Sequence, residues 1–258
     1  MLLSVVIPAY NERHTLGTII GVVARTMPAV SKEIVVVDDC SKDGTREWLK
    51  GNFPEGPRKG SSVNLDGEGN LIFAEEEESS LSGVTIHPIF HERNKGKGGA
   101  LQTGLAAISG DVLVIQDADL EYDPADWELM YDLIAVRRVA DVVYGSRFYG
   151  RPHRSLYFHH YLANRLISLL FNIVFNQTLT DIETCYKMMT REVVKSLRLT
   201  AEDFGIEVEM SAQIARQRTL RIYELGISYY GRTYAEGKKI NWKDGIKALW
   251  YVFKFRFI

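Results

Sequence analysis

Along the first 150 residues, short apolar β-branched runs alternate with longer stretches in which apolar positions recur with helical spacing. The runs at 3–7, 33–37, 112–116 and 142–144 read as strands covered on both faces, and the periodic stretches at 15–26, 99–107 and 124–137 read as helices. Alternation on this scale predicts βαβ units. The expected fold class is therefore α/β: a Rossmann-like, mainly parallel central sheet flanked by helices, with ligands at the C-terminal edge of its strands.

The pattern lapses over 51–83, a Gly-, Ser-, Pro- and acid-rich segment with four consecutive glutamates at 75–78. It reads as a solvated insertion with a small hairpin around 70–74. Beyond Arg151 the chain changes character. Residues 161–175 are mostly apolar with helical spacing and 201–216 are amphipathic. The segment 241–258 interleaves Trp242, Trp250, Tyr251, Phe253, Phe255 and Phe257 with Lys243, Lys247, Lys254 and Arg256. No internal repeat divides the chain, and 1–258 is expected to form a single domain.

Composition narrows the class. A chain of 258 residues with 46% hydrophobic and 25% charged positions is ordinary globular material, and its net charge of -2 carries no nucleic-acid signature. Cys40 and Cys185 are too few for a disulfide framework and lack neighbours at metal-ligand spacing, which points to a reducing, cytoplasmic setting. The opening MLLSVVIPAYNE lacks a basic leader and is cut short by Pro8, so it reads as a strand rather than a signal. No run approaches the ~18 apolar residues of a membrane span, so membrane contact is expected only peripherally, at the cytoplasmic face.

Chemistry-bearing residues fall where the predicted strands end. Residues 112–122, VLVIQDADLEY, stop at Asp117 and Asp119 with Glu121 two positions on. Carboxylates so crowded repel one another unless a cation holds them ionised, and magnesium or manganese takes oxygen ligands while bridging carboxylates to phosphates. Asp117, Asp119 and Glu121 are thus the expected metal ligands, and a phosphorylated substrate follows. After the first strand, Pro8, Ala9, Tyr10, Asn11 and Glu12 supply a flat aromatic face for a base, and Glu12 with Asp38 or Asp39 supplies acceptors for base and ribose. A plain strand-ending turn, and an Asx turn or helix N-cap at Asp38 and Asp39, are the structural alternatives. Lys95, Gly96, Lys97, Gly98 and Gly99 open a helix where an anion would be welcome, although their spacing is not that of a P-loop and a capped helix start fits equally well. Arg147 ends a strand and Arg232 precedes the turn containing Glu236, Gly237, Lys238 and Lys239; such cations would neutralise a diphosphate leaving group or bind an acceptor phosphate. His153, His159 and His160 have no partner at ligand spacing and are expected to pack or face solvent.

With these residues placed, the chain resembles the family-2 glycosyltransferases of GT-A fold, in the branch of dolichyl-phosphate mannosyltransferases and bacterial polyprenyl-phosphate glycosyltransferases. The resemblance rests on VVIPAYNE, VVVDDCSKDGT, NKGKGGAL, GDVLVIQDADLEYDP, GSR, TDIETCYKMMTREVV and YGRTYAEGKKINWKDG, in family order along nearly the whole chain apart from 51–83. It implies that Pro8, Tyr10, Glu12 and Asp39 line a nucleoside pocket, joined by Ala9, Asp38, Lys97 and Asp117. Asp117, Asp119 and Glu121 match the metal and diphosphate motif, although relatives often have glutamine at the position of Glu121. Arg147, Arg232 and Lys239 match phosphate-contacting positions; Lys238 precedes Lys239 where many relatives have serine, which leaves the choice between the two lysines open. Residues 151–258 would form the acceptor side and a C-terminal helical tail.

The activity so implied is inverting, metal-dependent transfer from a UDP- or GDP-linked sugar to a polyprenyl phosphate at a membrane surface, with a hydroxyl acceptor of a cell-envelope glycan or small molecule as the alternative. Asp119, Arg147 and Asp181 are the groups expected to act in transfer. A phosphate acceptor, with a second pKa of about 6, attacks unaided, whereas a hydroxyl needs a base. Asp181, Glu202, Asp203, Glu207 and Glu209 are candidates for that base, and Asp181 equally suits pinning the turn at 180–186. The aromatic and basic tail suits a headgroup boundary, a core, or the dimer interface of a homo-oligomer. Sugar-phosphate nucleotidyl transfer is the rival enzyme class, but it wants a glycine-rich Arg-Lys signature after the first strand. A sugar-nucleotide binding protein without activity is the non-enzymatic rival.

Overall fold

The computed structural model describes residues 1–74, 83–155, 157–233, 236 and 242–257, with side chains in the last stretch described from Gly245 onward. The chain divides into two compact units, Met1–Leu120 and Glu121–Ile258.

The first unit contains, in order, β1 (Leu3–Ala9), α1 (Leu16–Arg25), β2 (Lys32–Asp38), α2 (Thr45–Asn52), β3 (Arg58–Gly60), β4 (Val63–Leu65), β5 (Leu71–Phe73), β6 (Val84–Phe90), α3 (Gly96–Ala107) and β7 (Val112–Ile115). Its sheet runs β7-β1-β2-β6-β3. β7, β1, β2 and β6 are parallel, and β3 adds an antiparallel edge. The runs without polar alternation are the reason: Val5, Val6 and Ile7 of β1 and Val35, Val36 and Val37 of β2 are buried, as helix-covered parallel strands require. α3 lies close against β1, because a Cβ on Gly104 would come within 2.4 Å of Val6 Cγ1. Register sets the working edge. Ala9 pairs with Asp38 and Asp38 with Phe90, so the loops after β1, β2 and β6 leave the sheet at one level. Gln116, just past β7, donates to Val6 O at 3.0 Å and brings Asp117 to the same edge.

Four predicted strands are present, and the helices expected at 15–26 and 99–107 are α1 and α3. The expected hairpin is β4 paired antiparallel with β5, turned by Asp66, whose carboxylate accepts from Glu68 and Asn70 N–H groups at 2.8 Å. The glutamates at 75–78 lie outside the described residues.

In the second unit, the helical stretch expected at 124–137 is a 3₁₀ turn (Pro124–Asp126) capped by Asp123, then α4 (Trp127–Tyr131) and a π turn (Asp132–Val136). There follow β8 (Val142–Ser146), α5 (Phe158–Phe175), β9 (Lys187–Thr190), α6 (Arg191–Ser196), α7 (Ile206–Arg216), β10 (Ile222–Gly226) and α8 (Trp242–Phe257). β8 is flanked by β10, parallel, and β9, antiparallel. α5, α7 and α8 pack on one another. The helix expected over 201–216 starts only at Ile206, because Glu209 on α7 reaches back to accept from the Thr200 and Ala201 N–H groups at 2.9 and 2.7 Å and holds the preceding residues as a loop.

Candidate active site

In the first unit the loops after β1 and β2 are laced together. Asn11 N–H donates to Ser41 Oγ at 2.9 Å, and Lys42 N–H donates back to Asn11 Oδ1 at 2.8 Å. Glu12 N–H donates to Thr45 Oγ1 and Arg13 N–H to Asp43 Oδ2, at 3.0 and 3.1 Å. Asn11 and Cys40 hold positive φ, 54° and 64°, which sharpens both turns. Glu12 Oε2 accepts from Thr15 Oγ1 at the start of α1. Tyr10, 37% exposed, is carried on this fixed ledge next to the half-buried Pro8 and the buried Ala9.

Asp38 and Asp39 turn inward. Asp38 is fully buried: Oδ2 accepts from Arg46 Nε at 2.6 Å and Oδ1 from Ser41 N–H at 3.2 Å. Asp39 accepts from the N–H groups of Lys95 and Gly96, both at 2.8 Å, and its Oδ1 lies 2.7 Å from His91 Nδ1. The anion seat that the glycines and lysines predict at the α3 N-terminus is therefore filled by the chain's own carboxylate. Asp38 and Asp39, the residues expected to face base and ribose, fasten the loops that frame the ledge. His91, missed in the sequence, is the other half of this fastening, with Nε2 at 2.8 Å from Thr103 Oγ1 of α3.

Lys97 Nζ sits 2.8 Å from Asp117 Oδ1, both partly exposed. An ammonium thus stands beside the first acid of the QDADLE run, as expected where carboxylates crowd. Asp117 and Asp119 are oxygen donors of the kind a hard divalent ion takes, and Lys97 shows that the position draws a cation. Among the described residues no three His, Cys, Asp or Glu side chains gather into a metal-holding group.

In the second unit, Glu121 Oε1 accepts from Arg232 N–H at 2.7 Å and from its Nε at 3.2 Å, and Oε2 accepts from Tyr229 OH at 2.9 Å. The Tyr229 ring lies 5.3 Å from the Arg147 guanidinium. Arg147 and Arg232, far apart in sequence, are thus joined through Tyr229 and Glu121. Arg147 is itself gripped by Asp181: Nε to Oδ2 at 2.6 Å, Nη2 to Oδ1 at 2.7 Å, and its N–H to Oδ2 at 3.1 Å. Burial works against the Arg147 charge, yet Asp181 outweighs it and holds the guanidinium pKa above the ordinary arginine value. Asp181 is fully buried. Its turn is held in place by Glu224 Oε1, which accepts from Thr180 and Asp181 N–H at 2.7 and 3.2 Å.

Of the other carboxylates considered as bases, Glu202 is exposed, and Glu207, Glu209 and Asp203 have structural partners. Glu207 pairs with the buried Lys187 at 2.5 Å, and Glu209 caps the loop before α7. Asp203 accepts from Tyr251 OH at 3.2 Å. Glu183, in the same TDIETCYK motif but not singled out from sequence, is half-buried, and burial pushes its carboxyl up to about 7. His153 and His159 are exposed and His160 is half-buried. Lys238 and Lys239 lie outside the described residues.

Comparison with known proteins agrees with these motifs. The family model for Glycosyl transferase family 2 matches residues 4–60 and 74–198. The chain is 27% identical to a dolichol-phosphate mannosyltransferase of Pyrococcus furiosus over 93% of its own length and 61% of that protein's, so it spans only about three-fifths of that relative. It is 27% identical to an undecaprenyl-phosphate mannosyltransferase of Micrococcus luteus, over 90% of this chain and 85% of that one. Among solved structures, glucosyl-3-phosphoglycerate synthase from Mycobacterium tuberculosis, crystallised with Mn2+, uridine diphosphate and phosphoglyceric acid, shares the fold with a TM-score of 0.65. At 18% identity it covers 99% of this chain and 78% of its own.

Proposed function

The chain belongs to glycosyl transferase family 2, and from that premise we propose that it moves a sugar, with inversion, from a nucleoside-diphosphate sugar to a polyprenyl phosphate. The observation that carries the reading is the end of β7, where Asp117 pairs with the Lys97 ammonium at the same sheet edge as the Tyr10 ledge. Relatives named for dolichol-phosphate and undecaprenyl-phosphate mannosyl transfer, matched along most of this chain, support a lipid-phosphate acceptor.

On this reading Tyr10 stacks on the base and Pro8 and Glu12 shape its surroundings, while Lys97 contacts the diphosphate. Asp117 and Asp119 would hold magnesium or manganese, which when bound neutralises the charge that grows on the departing diphosphate. Arg147 and Arg232 supply positive charge to phosphate oxygens, and the desolvation of Arg147 strengthens what it offers. Asp181 is a positioning residue: both its oxygens are committed to Arg147, so it fixes the guanidinium and is not the base. Glu121 does the same for Arg232. A dianionic phosphate acceptor needs no base.

A hydroxyl acceptor is the second reading, and Glu183 favours it, because a carboxyl titrating near neutrality is matched to taking a proton at physiological pH. Transfer from UDP- and GDP-sugars to undecaprenyl phosphate, run with each metal and after chelation, tests the first reading. Asp119→Asn should abolish both transfer and metal-dependent stabilisation by nucleotide. Unchanged stabilisation would refute the donor site. Transfer only to hydroxyl acceptors, lost in Glu183→Gln, would favour the second.

A further inference from the structure

Past the end of β10, the backbone at Tyr229 is held from two sides, bridged antiparallel to Tyr122 and parallel to His153. Its N–H donates to Pro152 O at 3.0 Å and its C=O accepts from Arg154 N–H at 2.9 Å, while Tyr230 N–H donates to Glu121 O at 2.8 Å. From this fixed backbone the half-buried Tyr229 side chain makes two separate attachments. Its ring centre lies 5.3 Å from the Arg147 guanidinium and 5.3 Å from the Tyr122 ring. Its hydroxyl donates to Glu121 Oε2, and the other oxygen of that carboxylate accepts from Arg232 N–H and Nε. Tyr122 is fixed in turn, its ring 4.8 Å from that of Tyr186 and its hydroxyl accepting from Cys185 N–H at 3.3 Å. Stretches remote in sequence thus meet at one phenol.

We propose that Tyr229 is a positioning residue that locks Arg147 and Arg232 into one cationic clamp for the acceptor's phosphate. The two attachments do different work. The ring face attracts the Arg147 guanidinium and shields a side chain that is only 11% exposed, so its charge is little screened by water. The hydroxyl ties down Glu121 Oε2 and so leaves Oε1 turned to Arg232. An arginine already held in place gives up less side-chain freedom when it grips a phosphate, and its planar fork then meets the anion in one geometry. Packing alone would ask only for the ring. A phenol that donates to a carboxylate, which itself holds a second arginine, points beyond packing. The inference rests on the lipid-phosphate reading, which supplies the dianion that such a clamp would take.

The test is calorimetric binding of geranyl phosphate, a short and water-soluble prenyl phosphate, to the full chain, with amide exchange at Arg232 followed alongside. Tyr229→Phe keeps the ring beside Arg147 and removes the hydroxyl, whereas Tyr229→Leu removes both. Loss of one charge-assisted hydrogen bond should weaken binding about tenfold in Tyr229→Phe and speed exchange at Arg232, with an unchanged far-ultraviolet spectrum. In an Arg232→Met background Tyr229→Phe should have no further effect, and in an Arg147→Met background it should keep its effect. Tyr229→Leu should still weaken binding in the Arg232→Met chain, through Arg147. A tyrosine that only packs would give the same loss in every background. Wild-type affinity in Tyr229→Phe, or a loss that persists in full with Arg232→Met, would overturn the proposal. Transfer from sugar nucleotides to the same phosphate separates the two readings. Binding that follows this cycle without transfer removes the acceptor assignment and leaves the clamp standing; transfer by Tyr229→Phe at wild-type KM, with slow exchange at Arg232, does the reverse.

Discussion

Replacing Asp181 by Asn tests the grip on Arg147 directly. The substitution preserves shape but removes the charge from a residue with no exposed surface, leaving a guanidinium that is 11% exposed with an amide in place of a carboxylate. Breaking a buried pair by removing one member costs about 3–5 kcal/mol, mostly the penalty of the charge left behind. For a chain of this size each kcal/mol lowers Tm by roughly 2–4 °C, so a drop on the order of 10 °C is expected. The double variant Arg147→Met, Asp181→Asn removes the stranded charge and should be more stable than Asp181→Asn alone, a non-additivity of about 2 kcal/mol or more in a urea-unfolding cycle. A loss under about 1 kcal/mol for Asp181→Asn, or additive single and double variants, would show that the pair is solvated and that Asp181 does not hold Arg147. Activity adds a second readout: Arg147→Lys keeps the charge but loses the two-point grip, and transfer should fall with it.

Three further outcomes are expected. Gly104→Ala forces a methyl group against Val6 and should cost about 1–2 kcal/mol by thermal unfolding, whereas Gly51→Ala, with nothing within 4 Å of its added carbon, should be neutral or stabilising. Asp39→Ala strips buried acceptors from His91, Lys95 and Gly96, at a cost of about 3 kcal/mol, and should speed amide exchange at Lys95 and Gly96; unchanged exchange would refute the fastening. Glu183 keeps its proton in the folded chain up to about 7 but loses it near 4.5 when unfolded, so it makes stability fall as pH rises between those values and adds no further slope above them. Glu183→Gln should remove about 3 kcal/mol of that fall, read as urea midpoints at both ends of the window, and an unaltered pH dependence would show the carboxyl to be solvated.

What the sequence revealed follows from how local each signal is. β1, β2, β7 and β8 are continuous apolar runs, and α5 is legible from its apolar content, although it begins three residues before the expected 161. β6 was not, because His87 and Pro88 interrupt its pattern. The structure tolerates Pro88 because β3 pairs only as far as Ile86, leaving β2 as the described neighbour at that level. β10 was hidden because it is only half-buried. In the site, residue types were legible and orientations were not. Asp39 and Glu121 stand out by residue type and position, but their partners, Lys95 and Gly96 for one and Tyr229 and Arg232 for the other, lie 56 to 111 positions away. No local pattern encodes such a pairing. Lys97 and Asp117 were singled out separately, and only the fold shows them to be in contact.

The stitching between the loops after β1 and β2 makes those two turns heritable only as a pair. A one-residue insertion between Cys40 and Thr45 would withdraw acceptors from Asn11, Glu12 and Arg13 at once, so tolerated changes in one turn must be answered in the other. On the proposed reading, the same rigidity means that an incoming aromatic base would meet a platform whose shape is settled beforehand, and little of its affinity would be consumed in organising the protein.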